Sequence, residues 1–455
     1  MILALTAVLA AGGGTVYLAS SASAAAACAT AWSATSVYVK DNVASQSGHN
    51  YTAKWWTQNE SPSTHSGQWD VWIDSGVCGD TPPPTTPPPT TPPPTTPPTT
   101  PPTTPPTTPP PATGIPKRAL IGYLHASFAN GSGYLRMADV PANWDVINLA
   151  FGEPTTATSG DIRFSLCPAA ECPGVESEAD FIAAIRAKRN AGKKVLLSIG
   201  GANGQVQLTT TAARDKFVSS VSAIIDRYGL DGVDVDFEGH SLALNTGDTD
   251  FKNPMTPVIV NLIAALRSLK ARYGANFVLT MAPETFFVQL GYQYYGSGPW
   301  GGQDPRAGSY LPVIHALRND LTILHVQDYN SGSIMGLDNQ YHSMGGADFH
   351  IAMTDMLLAG FPVAGNTANV FPALREDQVA FGAPSSVSAG NGYVAPAAVQ
   401  QAVGCLVRGT NCGSYTLRGG TNPNFRGLMT WSINWDKFYA WEFQNQNGTY
   451  LKSLS

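Results

Sequence analysis

The sequence is poor in charged residues and in nucleotide-binding and zinc-binding motifs. Only 13% of its 455 residues are charged, and the formal net charge is −6. Because it contains no basic run, a nucleic-acid partner is not expected. The six cysteines form no Cys-x-x-Cys pair, which argues against a zinc site. No Gly-rich dinucleotide or phosphate-binding motif opens the first strand of the larger domain, which disfavours a doubly wound nucleotide-binding sheet.

The N-terminal residues 1–24 are typical of a secretion signal. An apolar core at residues 2–11 is followed by the small-x-small site Ala-Ser-Ala at 22–24, although no positive residue precedes the core. A transmembrane helix is the alternative, but the apolar run is short and three glycines at 12–14 interrupt it. We therefore expect an extracellular protein with no membrane partner.

A small module and a linker follow the signal. Residues 25–80 contain short alternating segments broken by Gly and Asn, which predict a few antiparallel strands. A unit of this size buries little apolar surface and usually needs a covalent crosslink. Residues 81–115 are mostly Pro and Thr, which predicts an extended polyproline II spacer. Proximity in sequence and an oxidising compartment suggest three disulfides: Cys28–Cys78, Cys167–Cys172 and Cys405–Cys412.

Residues 116–455 alternate between strand-like apolar runs and helical patterns. Eight strands with intervening helices predict an α/β fold, a (β/α)8 TIM barrel, with an open parallel sheet as the alternative. The expected strands are Arg118–Tyr123, Val146–Phe151, Val195–Gly200, Gly232–Glu238, Val278–Pro283, Leu321–Tyr329, Gln378–Gly382 and Gly427–Ser432. In this fold, catalytic groups lie at the C-terminal ends of the strands.

The fourth expected strand carries the most informative residues. Side-chain alternation places Asp234, Asp236 and Glu238 on one face and apolar residues on the other. Three close carboxyl groups cannot all ionise, so the pKa of at least one must rise. Glu238 comes last and has the longest side chain, so we expect it to be a general acid. A divalent-metal site and a solvated edge strand are the alternatives.

This segment resembles a known family. Asp231-x-x-Asp234-x-Asp236-x-Glu238 resembles the DxxDxDxE signature of family 18 glycoside hydrolases, the chitinases, and Ser198–Gly201 resembles their SxGG motif. The resemblance implies a retaining, substrate-assisted mechanism with Glu238 as acid and base, aided by Asp236, Asp234 and Tyr329. The sequence gives no sign of a metal or organic cofactor, so none is expected. The resemblance also implies a set of substrate-binding residues: Trp431, Gln327, Asn330, Tyr123, Phe151, Met281 and Glu284. Asp231 has the opposite parity and is expected to be structural, and His125, His240 and His325 receive no role.

The small module resembles the carbohydrate-binding modules of families 5 and 12. The resemblance rests on Ala53-Lys54-Trp55-Trp56-Thr57. It implies that Trp55 and Trp56 lie on a binding surface, with Tyr51 as a further candidate. Strand alternation would instead place one of the two tryptophans in the core. Trp32 and Trp72 are expected to be structural.

The resemblance implies a secreted enzyme that acts on insoluble chitin and chitooligosaccharides. About 45 residues separate the last two strands, too few for the extra α+β domain that walls the cleft of many chain-end chitinases. This favours an open cleft and internal cleavage. Gln327 stands where many relatives carry Met. No oligomer interface is evident, so a monomer is expected. The alternatives are an endo-β-N-acetylglucosaminidase, a catalytically inactive chitin-binding lectin and a structural surface protein.

Overall fold

The computed structural model describes the chain in two compact units, one within residues 1–102 and the other within residues 103–455. The predicted secretion signal, residues 81–113 of the predicted linker, and both Trp55 and Trp56 lie outside the described residues. The described ranges are 26–38, 42–54, 57–58, 60–66, 71–79, 114–299 and 301–454.

The N-terminal unit is built from short strands. Its main sheet has the order β1-β6-β4-β3, in which β1 runs parallel to β6 and the other pairs are antiparallel, and β2 pairs separately with β5. A disulfide joins Cys28 to Cys78, as predicted. The strands are β1 (Ala26–Ala27), β2 (Val37–Tyr38), β3 (Val43–Gln46), β4 (His49–Ala53), β5 (Thr57–Gln58) and β6 (Trp72–Gly79).

The core of this unit is small and aromatic. Trp72 is fully buried, its indole N–H donates to the carbonyl of Glu60, and the ring of Tyr38 meets its ring edge-on. The prediction that Trp72 is structural is confirmed. Tyr51 is only 5% exposed and packs in the same core, so the expectation that it contributes to a binding surface is wrong. Side chains alternate between the two faces of β4, and Tyr51 shares the inward face with Ala53.

The second unit is a closed parallel barrel. Eight strands pair in the order β10-β11-β12-β13-β18-β19-β7-β8, and a further pairing of β8 with β10 closes the ring. This confirms the predicted (β/α)8 barrel, and each strand lies within a few residues of its expected position. The barrel strands are β7 (Ala119–His125), β8 (Val146–Pro154), β10 (Lys194–Gly200), β11 (Gly232–Asp236), β12 (Val278–Met281), β13 (Ile323–Gln327), β18 (Val379–Pro384) and β19 (Gly427–Trp431).

Helices surround the barrel. Several have sequence-encoded ends: the Thr210 hydroxyl caps α2 by accepting from the N–H of Ala213, and Gly229 ends the same helix in the left-handed region at φ 66°. The helices are α1 (Glu178–Asn190), α2 (Thr211–Tyr228), α3 (Pro257–Tyr273), α4 (Leu311–Leu317), α5 (Ala347–Ala359), α6 (Pro396–Arg408), α7 (Ile433–Phe438) and α8 (Thr449–Ser453). Among the described residues, none of the helices has the length and apolarity needed to cross a bilayer.

Short antiparallel strands lie in the segments that connect the barrel strands. The strand β9 (Ile162–Arg163) pairs antiparallel with the end of β8. The antiparallel pairs β14–β15 (Ile334–Met335, Tyr341–His342) and β16–β17 (Phe361–Val363, Asn366–Phe371) lie between β13 and β18. Residues 385–426, all of which are described, contain α6 but no separate domain, so the expectation of an uninserted barrel holds. Disulfides join Cys167 to Cys172 and Cys405 to Cys412, as predicted.

Apolar side chains pack in two layers. The larger layer lies between the strands and the helices, and the smaller one fills the inside of the barrel with residues such as Ile121, Leu196, Ile323 and Met429. Polar side chains inside the barrel are concentrated on β11 and its neighbours. The interior therefore changes from apolar packing to a polar site.

Candidate active site

The carboxyl groups of β11 enter the barrel by strand alternation. Asp234 is fully buried and Asp236 is 3% exposed, while Val235 and Phe237 face the helices. The strand ends at Asp236, and Glu238 follows with the same parity at the cavity mouth. The predicted stacking of three acids on one face is therefore present, ordered from the barrel interior outward.

Asp234 is held as a buried carboxylate. It accepts hydrogen bonds from Tyr123 Oη at 2.7 Å, Ser198 Oγ at 2.8 Å and Thr280 Oγ1 at 2.6 Å, and His325 Nε2 lies 3.3 Å from its Oδ1. Burial alone would raise the pKa of Asp234, but the nearby His325, Thr280 and Tyr123 outweigh burial and lower it. Its negative charge therefore persists under the other two acids. Sequence reasoning gave no role to Thr280 or His325, although both share the inward parity of their strands.

Asp236 and Glu238 form a proton-sharing pair. Burial, then the charges of Glu238 and Asp234, raise the pKa of Asp236 well above its usual value, and the two side chains are hydrogen-bonded. Burial also raises the pKa of Glu238, against hydrogen bonds from Gln327 and Asp236 that lower it. The pair therefore holds a proton at a pH at which free carboxylic acids would have lost it, as the sequence predicted for at least one of the three.

The acids open into a cavity of about 510 Å³. Of the predicted site residues, eight line it: Tyr123, Phe151, Asp236, Glu238, Gln327, Tyr329, Asn330 and Trp431. The others that line it were not predicted: Phe128, Ala129, Asn130, Glu153, Ala202, Asn203 and Ala389. These missed residues belong mainly to loops that follow the strands, whose course the strand pattern does not specify.

Three aromatic rings stack along one wall of this cavity. The planes of Phe151 and Trp431 differ by 10° with centroids 5.5 Å apart, and Phe128 lies nearly parallel to both. His125 packs against Phe128 and Trp431 from behind. A cavity lined by both flat apolar rings and acidic groups suits a ligand with both C–H faces and polar substituents, such as a sugar.

Comparison with known proteins identifies this arrangement. Residues 119–304 match the model for glycosyl hydrolases family 18. Over 318 residues the chain is 68% identical to a "Probable class II chitinase" of Arthroderma benhamiae, covering 70% of this chain and 95% of that protein. The chain belongs to glycosyl hydrolase family 18.

Other family 18 proteins are similar over the same region. "Exochitinase 1" of Streptomyces olivaceoviridis is 76% identical over 339 residues, which is 73% of this chain but 57% of that protein, so this chain spans little more than half of it. The crystal structure of a family GH18 chitinase from Chromobacterium violaceum has a TM-score of 0.66 and 35% identity, covering 94% of this chain and all of that one.

In this family 18 site, the side-chain amide of Gln327 contacts the acids, whereas the sequence predicted contact with substrate. Its Nε2 lies 2.9 Å from Asp236 Oδ1, 3.0 Å from Glu238 Oε1 and 2.9 Å from the carbonyl of Ala282. The sequence suggested hydrogen bonding to substrate. The amide N–H groups instead point at the proton-sharing pair, so the first effect of Gln327 is on the acids themselves.

Three further predicted binding residues are placed differently by the structure. Met281 is fully buried among the helices because Thr280, its neighbour on β12, takes the inward position, so its prediction as a binding residue is not supported. Asn330 Oδ1 accepts from the N–H of Asn391, while its own N–H donates to the Asn391 carbonyl, which fixes the loop after β18. Glu284 does not line the described cavity, and burial followed by the charge of Glu238 raises its pKa to about 7.

Asp231 has the outward parity that the sequence indicated. Its carboxylate accepts from the N–H of Val195 and from Arg189 Nε at 3.0 Å, and Lys194 lies 3.7 Å away. These contacts tie the start of β11 to β10 and α1, on the side of the barrel away from the acids. Within the described residues, no group of three or more His, Cys, Asp or Glu side chains is arranged to hold a metal ion.

Proposed function

We propose that this protein is a chitinase that hydrolyses the β-1,4 bonds between N-acetylglucosamine units. The observation that carries the proposal is the placement of Asp236 and Glu238, which lie 2.9 and 3.0 Å from the same Gln327 amide nitrogen, in a cavity walled by parallel aromatic rings. Relatives of the family 18 chain that cover most of its barrel carry the name chitinase. Chitin and chitooligosaccharides are the proposed substrates, and the protein is proposed to act as a monomer without a cofactor.

The proposed mechanism is retaining and substrate-assisted, as in family 18 generally. Glu238 donates its proton to the glycosidic oxygen, and the carbonyl oxygen of the 2-acetamido group attacks the anomeric carbon as that bond breaks. An oxazolinium ion forms. Deprotonated Glu238 then removes a proton from water, whose oxygen attacks the anomeric carbon from the face that the leaving group vacated. The acetamide re-forms, and the product keeps the β configuration.

Asp236 and Asp234 support the charge that develops. Asp236 accepts a hydrogen bond from the acetamide N–H and stabilises the positive ring as it forms. The proton that the pair shares lies on Glu238 when the reaction begins, which leaves Asp236 ionised to accept that N–H. Asp234 supplies a fixed negative charge beneath them, because its surrounding donors keep its pKa low.

Tyr329 and Trp431 position the sugar. Burial, then the charges of Asp236 and Glu238, raise the pKa of Tyr329 well above its usual value, so its hydroxyl remains a hydrogen-bond donor. It donates to the acetamide carbonyl and holds that oxygen in the attacking position. Trp431 forms the apolar floor beneath the pyranose, supported by its stack on Phe151. Tyr123, Asn330 and Glu284 are proposed as further contacts in the same region.

The regions before the barrel suit a polymer that is insoluble and extracellular. We propose that residues 1–24 direct secretion, that the N-terminal unit is a family 5 or 12 carbohydrate-binding module with Trp55 and Trp56 on its surface, and that the Pro/Thr segment is a tether. A tethered module would keep the barrel near its solid substrate while leaving it free to search.

Internal cleavage is the mode that the cleft supports best. No inserted domain walls the cavity within residues 385–426, so a chain can enter from the side. The name of the Streptomyces relative instead favours chain-end action, whereas "Endochitinase 4" of Metarhizium robertsii, 34% identical over 255 residues, favours internal cleavage. A rapid viscosity fall of a soluble chitin derivative, ahead of reducing-end release, identifies internal cleavage. Release of reducing ends with little fall in viscosity identifies chain-end action.

The test of the proposed function is hydrolysis of a chitin oligomer by the full chain and by Glu238→Gln, with the anomers of the early product resolved. We expect a β-anomeric product from the wild type and a rate loss in the variant on the order of 10²–10⁴-fold or more. A variant with the wild-type rate would overturn the role of Glu238. Chitin binding without cleavage would favour the lectin, and release of sugar from N-glycoproteins would favour the endo-β-N-acetylglucosaminidase.

A further inference from the structure

A cluster of aromatic side chains lies on the barrel rim beside the end of β19. Trp435 and Phe438 belong to α7, and Tyr439 follows it. The rings of Trp435 and Phe438 have centroids 5.5 Å apart, and those of Phe438 and Tyr439 are 5.4 Å apart. Phe438 is 60% exposed, and Trp435 and Tyr439 are half-buried. We call these three residues the rim cluster. None of them has a role in the reaction proposed above.

The rim cluster is continuous with the cavity on the side of the β7 loop. A side-chain carbon placed at Gly131 would lie 3.9 Å from Cη2 of Trp435, so this loop passes close to the indole. The preceding residues, Ala129 and Asn130, line the cavity. Trp435 therefore lies beside the loop that forms this part of the cavity wall.

A second connection lies on the side of the β18 loop. Ser388 Oγ and Tyr439 Oη are 2.7 Å apart, and Ala389, the next residue, lines the cavity. The loops on both sides of β19 thus bring cavity-lining residues to the edge of the rim cluster. The outer surface adds an exposed Val387, 64% accessible, to the same loop.

The chemistry of the rim cluster matches that of the cavity wall. Both present flat aromatic rings, and at the rim the hydroxyls of Tyr439 and Ser388 stand beside them. Phe438 exposes most of its ring to solvent beside two half-buried aromatic rings, so a ligand can contact it without any rearrangement of the protein. A β-1,4-linked chain of N-acetylglucosamine offers C–H faces for rings and hydroxyl and acetamide groups for polar neighbours.

We propose that the rim cluster binds sugar units of the polymer that extend beyond the cavity, which rests on the chitinase function proposed above. The rim cluster would then set the preference for long over short chains without touching the bond that breaks. Because Phe438 is the most exposed ring, it is the residue through which the proposal is tested.

The experiment compares the full-length wild type with Phe438→Ala, Phe438→Trp and Lys437→Ala. For each, kcat/KM is measured on a chitin dimer reporter glycoside, a hexamer and soluble glycol chitin. Loss of one stacking ring should lower the ratio of long-chain to short-chain kcat/KM by about 3- to 10-fold in Phe438→Ala. The ratio should be restored in Phe438→Trp, which keeps a flat ring, and unchanged in Lys437→Ala, an exposed neighbour on the same helix.

Calorimetric binding of the same oligomers to the same four proteins separates this proposal from the proposed function. If the wild type binds but does not cleave, the chitinase assignment fails, while weaker hexamer binding by Phe438→Ala still supports the rim cluster. An unchanged ratio and unchanged binding in Phe438→Ala overturn the rim cluster alone. A wild-type dimer that becomes monomeric in Phe438→Ala, measured by sedimentation, would also overturn it, because the rings would then be covered by a second copy.

Discussion

Gln327 holds together the two carboxyl groups that carry the proposed reaction. Its amide donates towards both Asp236 and Glu238, and its hydrogen bond lowers the pKa of Glu238 against the effect of burial. In Gln327→Met the donor is lost, so the pKa of Glu238 should rise. The alkaline limb of the pH profile of kcat/KM, which reports loss of the acid proton, should therefore move to higher pH. We expect kcat to fall about 10- to 100-fold, because the pair is no longer fixed.

A matched control for this change is Gln378→Met. Gln378 is also a buried glutamine, in the 3-10 turn before β18, but its Nε2 donates to the backbone carbonyls of Arg318 and Leu321, away from the acids. The control should lose stability while keeping the position of the alkaline limb. A pH profile that is identical in wild type and Gln327→Met would show that the amide has no influence on Glu238.

His125 makes the stability of the barrel depend on pH. It is fully buried behind Trp431, and burial lowers its pKa from 6.5 to about 3. Because the pKa of His125 is lower in the folded protein, this histidine binds a proton more readily in the unfolded chain between pH 6.5 and about 3. The free energy of unfolding is therefore unaffected above pH 6.5 and falls as pH drops towards 3. At pH 5 this single group should cost about 2 kcal/mol.

His125→Phe keeps a ring against Phe128 and Trp431 but cannot titrate. Denaturant unfolding at several pH values between 7 and 4 should give a shallower fall of the free energy of unfolding in this variant than in the wild type. His315, whose pKa burial lowers to about 4, contributes a similar fall in both proteins and cancels in the difference. Parallel curves for the two proteins would mean that His125 is not protonated on unfolding in this range.

At the scale of elements, the contact of β10 with β11 places the acids. Ser198 and Gly200 of β10 pair in register with Asp234 and Asp236 of β11. Gly200 has φ 117°, and a Cβ built there would lie 2.1 Å from the carbonyl oxygen of Asp236. In Gly200→Ala, either β11 shifts or the strand pair separates. We expect a loss of stability of roughly 2–4 kcal/mol and a fall of kcat of at least about 10-fold.

Gly192→Ala separates the cost of the positive φ from the cost of crowding against Asp236. Gly192 has φ 83° but no atom within 4 Å of a built Cβ, so it reports the backbone conformation alone. Its variant should lose about 1 kcal/mol with unchanged kcat. If thermal unfolding and oligomer hydrolysis respond equally in the two variants, crowding against Asp236 has no part in placing the acids.

The elements also show how far sequence reasoning reaches. Alternation along β11 was enough to place Asp234, Asp236 and Glu238 together, because a strand has one strict period. The same rule applied to β12 favours Thr280 over Met281, yet the sequence prediction chose Met281 by resemblance, and the structure buries it among the helices. Parity within each strand was the signal that could have found Thr280 and His325.

Side-chain alternation within strands does not predict where loop residues lie. Phe128 reaches the cavity wall because the loop after β7 crosses the barrel mouth, where the N–H of Cys167 donates to the carbonyl of Ala126. Asn330 holds the β18 loop instead of standing free, through its reciprocal bonds to Asn391. These paths depend on contacts between residues about 40 or more positions apart, which no local pattern encodes.

At the scale of the whole molecule, the two units should differ in what stabilises them. The N-terminal unit has a core of a few residues, whereas the barrel has two extensive apolar layers. A unit with so small a core depends on its crosslink. The Cys28–Cys78 bridge closes a loop of 50 residues, and chain-entropy arguments give it about 4 kcal/mol, comparable to the whole stability expected of such a unit.

Replacing both Cys28 and Cys78 by Ser should therefore unfold the N-terminal unit and leave the barrel folded. Calorimetry should show loss of one transition with the barrel transition unchanged, and hydrolysis of soluble oligomers should continue at the wild-type rate. If the unit is the proposed binding module, retention on insoluble chitin should fall as well. As a control, replacing Cys405 and Cys412, which close a loop of 7 residues within the barrel, should shift the barrel transition instead. A double variant that keeps both transitions would show that the small core is sufficient by itself.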